Sequence, residues 1–207
     1  MKKTAFTLAE VLITLGIIGV VAALTIPSLI ANYQKQEAVT KLKKFYNTMN
    51  QAVKLSEIEN GDASDWNLTS GHASYQTVLD FYNTYLAKYI IKTKEIKPCD
   101  SSPDYDMCVY MADGTIFKMG LWSGVDTVFY TNEKCLNTPT KRCFFQFGFR
   151  KTTGASQNIF EPYAAGAWDG TREGLKNNYP YGCLNNGAYC AKLIQWDDWE
   201  IKDDYPW

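Results

Sequence analysis

The sequence predicts an α+β protein: one long N-terminal α-helix, with a membrane half and an amphipathic half, packed on a small antiparallel-sheet head with disulfides. Three observations predict it. Val11 to Ala31 is a run of 21 residues without a charge, about 31 Å long at ~1.5 Å per helical residue, close to the hydrocarbon thickness of a bilayer. Asp113-Gly114 lies between two short apolar runs, the pattern of a tight hairpin. All six cysteines fall after residue 98, in near pairs.

The helix is expected over Phe6 to Glu59, about 80 Å at ~1.5 Å per residue. Beyond the charge-free run, Ala38, Val39, Leu42, Phe45, Tyr46, Met49, Ala52, Val53 and Ile58 mostly recur every three or four residues. That spacing is an amphipathic face. Pro27 removes one backbone bond and is expected to bend or loosen the helix. Gly61-Asp62 ends it, and Gly61 to Gly71 reads as a polar loop. Tyr75 to Ile91 has apolar residues at helical spacing and predicts a second helix.

Lys94 to Asp106, with Pro98 and Pro103, reads as a loop. Met107–Met111 and Thr115–Met119 flank Asp113-Gly114, whose residues suit the positive φ angles of a hairpin turn. Val125–Tyr130 and Cys143–Phe149 read as further strands. Asn158 to Tyr181, rich in Gly and aromatics, reads as a long ordered loop. Ala191 to Ile201 suits either a strand or a short helix. The organisation is then a basic leader (1–5), a transmembrane and assembly half (6–31), an amphipathic half (32–59) and an α/β head (60–207).

The N-terminus carries a family resemblance. Lys2-Lys3 is a basic leader, and Ala5-Phe6-Thr7-Leu8-Ala9-Glu10-Val11-Leu12 resembles the processing motif of type IV pilins and type II secretion pseudopilins. Charge, cut site, Glu and apolar length all agree over Lys2 to about Ile30. The family usually has Gly before the cut, and Ala5 stands there in this chain. The resemblance implies cleavage between Ala5 and Phe6 by a prepilin peptidase, N-methylation of Phe6, a role for Glu10 in assembly and a helix kink at Pro27. It implies self-assembly with other pilin or pseudopilin subunits. It also implies an assembly platform protein and ATPase as partners, and a place in the inner membrane.

Composition narrows the head. The formal net charge is −1, from 21 basic and 22 acidic residues, whereas a nucleic-acid binder usually shows a basic excess or stripe. No nucleic-acid partner is predicted. The basic cluster Lys41, Lys43 and Lys44 reads as a solvated face near lipid headgroups. Cys99, Cys108, Cys135, Cys143, Cys183 and Cys190 are the disulfide candidates. Six cysteines allow 15 connectivities, so the sequence does not prove local pairing. Zinc is disfavoured because no C-x-x-C occurs and His72 is the only histidine. Disulfides require an oxidising compartment, which puts the head outside the cytoplasm and the N-terminus inside.

Glu10 is the sharpest single residue. A carboxylate at the mouth of a membrane-length helix is costly. It sits about one turn from the Phe6 amine that cleavage would create, on its own chain or a neighbour. The plainer reading is a favourable charge at a helix N-terminus. Catalysis finds little support: His72 reads as a surface loop residue, and nothing in the sequence argues for a nucleophile within its reach. Asp197, Asp198, Glu200, Asp203 and Asp204 are expected to form a solvated acidic face, with calcium the alternative because carboxylates are hard ligands. Asp113-Gly114 is taken by the hairpin, so no metal is predicted there. Most of the fourteen tyrosines and six tryptophans are expected in the core, and Tyr205-Pro206-Trp207 is the group expected at the surface.

The functional expectation is a structural subunit of a pilus or pseudopilus, not an enzyme. Two alternatives stand beside it: a minor, tip-located adhesion or DNA-uptake pilin, and an extracytoplasmic enzyme on a signal anchor.

Overall fold

The computed structural model describes residues 7–66, 73–100, 106–121, 125–151, 158–164 and 168–207. The Ala5-Phe6 junction, His72, Pro103 and Trp122 therefore lie outside the described residues. The chain divides into two compact units, 1–37 and 38–207. Helix α1 (Leu8–Asn60) contributes to both and runs unbroken through Pro27.

In the second unit, α1 buries Ala38, Leu42, Phe45, Met49, Ala52, Val53 and Ser56. The three-and-four spacing of the sequence is therefore the packing stripe. Ile58, expected to extend it, is instead exposed. The stripe faces a six-stranded antiparallel meander: β1 (Thr93–Pro98), β2 (Met107–Met111), β3 (Ile116–Leu121), β4 (Val125–Tyr130), β5 (Phe144–Lys151) and β6 (Asn158–Pro162), in spatial order β1-β2-β3-β4-β5-β6. The register lines up Val109, Phe117, Phe129 and Phe145 across four strands. It also lines up Leu121, Val125, Phe149 and Phe160. The Phe45 ring is the hub of this face, with centroids 4.5 Å from Phe129, 5.2 Å from Phe147 and 5.4 Å from Phe117. The α+β class, the long helix and the antiparallel sheet are as expected.

Four local expectations are corrected. Lys94–Asp106 is not all loop, because Thr93–Pro98 forms β1. Asn158–Tyr181 is not one loop, because it holds β6 and α4 (Arg172–Asn177). Both missed strands are edges, where charges and proline are tolerated and alternation is weak. The second helix, α2 (Tyr75–Tyr85), stops six residues before Ile91. Beyond it Leu86 and Ile90 stay buried, but Tyr89 N–H and Ile90 N–H both donate to the Leu86 carbonyl in tight turns. Apolar spacing there reports burial and single turns, not a continued helix. The hairpin has three loop residues, since Met111 N–H donates to the Thr115 carbonyl at 2.9 Å and Ala112, Asp113 and Gly114 lie between them. Only Gly114 takes a positive φ, 80°, and Asp113 instead accepts from the Thr115 N–H and hydroxyl. This is the three-residue loop with Gly in the left-handed position rather than a two-residue turn.

The strand-or-helix ambiguity after Cys190 resolves as α5 (Cys190–Trp196). Its Leu193 and Ile194 enter the same core as Phe45. On the opposite sheet face a smaller cluster of Ile116, Tyr130 and Cys135 lies under the one-turn helix α3 (Glu133–Asn137). Disulfides join Cys99 to Cys108, Cys135 to Cys143 and Cys183 to Cys190. Each bridges neighbours in sequence, so of the fifteen pairings the local one is observed.

Candidate functional site

The candidate assembly site is the first unit. Over residues 8–30, Leu8, Leu12, Ile13, Leu15, Ile17 and Ile18 are exposed, as are the large apolar side chains that follow. By length and composition this is a helix able to cross a membrane, and its most apolar window has nothing buried. Exposed aliphatic surface of that extent is stable only against lipid or other helices.

Glu10 guards the start of this surface, and the structure gives it a partner that sequence reasoning missed. Its carboxylate accepts from Thr7 N–H and Thr7 Oγ1, each at 2.8 Å, while Glu10 N–H donates to Thr7 Oγ1 at 3.3 Å. This reciprocal pair is a capping box. The signal was readable as Thr7-Leu8-Ala9-Glu10, a Thr-x-x-Glu ahead of an apolar run. Thr7 ties up two donors, but both are neutral, so Glu10 keeps its full negative charge. Phe6, the other expected participant, is outside the described residues.

The basic cluster is not simply solvated. Lys44 Nζ lies 2.5 Å from Asp113 in the β2–β3 hairpin, and Lys41 Nζ donates to the Thr131 carbonyl at 3.3 Å. Burial pushes the Asp113 carboxyl up, but Lys44 and Thr115 outweigh it and hold it down at about 2. Lys41, Lys44 and Lys92 rim a cleft of about 70 Å³ in the second unit, floored by Phe45, Met49, Met111 and Phe129.

The C-terminal acidic residues are likewise not a plain solvated face. Arg172, the first residue of α4, donates to both oxygens of Asp197 at 2.7 Å and both of Asp204 at 2.9 Å. Lys176 reaches Asp204 at 3.1 Å. These cations hold the Asp204 carboxyl well below the usual range, Arg172 foremost. Among the described residues no group of three or more His, Cys, Asp or Glu side chains could hold a metal ion. Tyr205, expected at the surface, is buried and donates its hydroxyl to the Lys141 carbonyl at 2.6 Å. Trp207 is half-buried under the Arg142 guanidinium.

The fold and this site define a class: an α+β head on a helix that presents a membrane-length apolar surface. Residues 28–207 match the model of a Family of unknown function (DUF6613), and the chain belongs to that family. The match begins after Pro27, so it excludes the segment that carries the motif around Glu10. No curated protein and no solved structure matches.

Proposed function

We propose that this chain is a structural subunit of a type IV pilus or type II secretion pseudopilus. In this reading a prepilin peptidase cuts between Ala5 and Phe6. The subunit waits in the inner membrane with its N-terminus inside and its head outside. A platform protein and ATPase then feed it into a fibre through its N-terminal helix. The observation that carries the reading is the exposed apolar surface of residues 8–30 directly behind the motif Ala5 to Leu12. Three closed disulfides support an extracytoplasmic head.

Glu10 supplies the register. In a monomer both Thr7 donors bond one of its oxygens, Oε2, and headgroup water screens its charge. In a dry bundle of helices two neutral donors leave a net charge buried, which is expensive. The Phe6 amine of an adjacent subunit carries the opposite charge and removes that cost. Misregistered helices would leave both charges alone. Mass spectrometry of the mature N-terminus is the direct test, with a chain starting at methylated Phe6 expected. Glu10→Ala is expected to insert into membranes normally and to lower the yield of sheared filaments at least tenfold. A mature chain trimmed beyond Pro27, or normal filaments from Glu10→Ala, would overturn the proposal.

A further inference from the structure

The head carries an apolar cleft near the start of its share of α1 and an apolar knob near the end of it. The cleft has the floor and the lysine rim described above. Three lysines against one aspartate leave its mouth net positive. Lys92 is held at a φ of 78°, a strained setting for a residue with a side chain. Its carbonyl accepts from Ala112 N–H at 2.9 Å, which locks one lip of the cleft to the β2–β3 hairpin. The cleft is therefore a built feature of the hairpin.

The knob is Leu55 and Ile58, 48% and 81% exposed. They lie one turn apart on one face, and Glu59 lies one turn beyond Leu55 on that same face. Glu59 makes an exposed ion pair with Lys88 at 2.5 Å. Exposed pairs of this kind hold weakly and exchange partners readily. Ile58 is nine residues beyond Met49 and seventeen beyond Lys41, about 14 and 26 Å along the helix at ~1.5 Å per residue. Knob and cleft are thus too far apart on one head to meet.

We propose that the cleft receives the Leu55–Ile58 knob of a second copy of this chain, with Glu59 of that copy against the lysine rim. Size and charge both match. A cavity of about 70 Å³ is several times the ~10–15 Å³ that a single water needs, room enough for the end of an isoleucine side chain. The acid of the knob meets the cations of the mouth. Because the two surfaces differ, the contact is heterologous and, where the rotation does not close a ring, builds an open filament instead of a two-fold pair. The inference rests on the filament reading and names the head contact within it.

The test uses the full chain with a benzophenone side chain in place of Ile58, irradiated in native membranes and in sheared filaments. A cross-linked species of two chains is expected, with the adduct mapped to Ile91 or Met111. The reciprocal probe at Ile91 is expected to capture the peptide holding Leu55 and Ile58. Ile58→Lys, a change at an exposed position, is expected to lower that capture at least tenfold. An adduct elsewhere on the second copy, on another protein or on lipid would overturn the contact, as would no adduct. A cleft adduct in membranes without any filaments would uphold the contact while the filament reading fails. Filaments without a cleft adduct would do the reverse.

Discussion

Residues 8–30 and 38–60 belong to one helix and draw on the same aliphatic side chains, yet their surroundings treat them oppositely. In the second stretch the apolar residues form a stripe, polar residues cover the rest, and the stripe is buried on the sheet. In the first stretch apolar residues go all the way round and the most apolar window is not buried at all. Pattern, more than hydrophobicity, separates them. A stripe can be satisfied by one sheet within the chain. An all-round apolar surface needs an apolar medium or several other helices around it.

The same substitution on the two stretches tests this most severely. Leu42 is fully buried and Leu15 is 60% exposed. Leu42→Ala is expected to destabilise the head by about 3–5 kcal/mol in denaturant titrations, because it opens a cavity at the sheet. Leu15→Ala is expected to leave head stability within about 0.5 kcal/mol. Equal losses from both would break the division into two kinds of surface.

Charge pairs give the next effect. Arg172 is 30% exposed and its partner Asp197 only 9%. Arg172→Ala should cost the head about 2–3 kcal/mol, less than the ~3–5 of a fully buried pair. A smaller shift in the denaturation midpoint would return the acidic cluster to the solvated face read from sequence.

A weaker acid dependence sharpens the picture. Asp113 is held down at about 2, below the ~3.9 of an unfolded chain. A depressed carboxyl contributes stability that is complete above the unfolded value and is lost as pH falls towards the folded one. Its share should fade between about pH 4 and 2. It should stay below ~1 kcal/mol, because the Lys44–Asp113 pair is largely exposed. Lys44→Met should flatten that part of the profile, and an unchanged slope would remove the pair from the account.

The smallest effect concerns Thr127, whose hydroxyl is buried on the phenylalanine face without a hydrogen-bond partner. Thr127→Val should be neutral or raise stability by up to about 1 kcal/mol. A clear loss would show that the hydroxyl has a partner, such as an internal water.

Much of this architecture was legible in the chain. The stripe from Ala38 to Val53 and the central strands followed from spacing, and the near pairs of cysteines marked the disulfide candidates without fixing their connectivity. The two edge strands did not, because Lys94, Glu95 and Lys97 solvate β1 and hide its alternation. The early stop of α2 did not, since Leu86 and Ile90 keep helical spacing through turns that do not continue α2. At the candidate site, charge and length singled out Glu10, but Thr7 was passed over although the Thr-x-x-Glu pattern names its partner. Arg172 was also missed. Its role depends on α4 bringing it to Asp197 and Asp204, carboxylates 25 and 32 residues away in sequence, a meeting that no local pattern encodes.

The three bridges share one property with a consequence for biogenesis. Each joins a cysteine to the next one along the chain, at separations of nine, eight and seven residues. Short segments of that size find their own ends in well under a microsecond. A head oxidised as it emerges in sequence order therefore meets the right thiol before any competitor has appeared. Maturation of this head should proceed without disulfide shuffling, needing an oxidant but no isomerase.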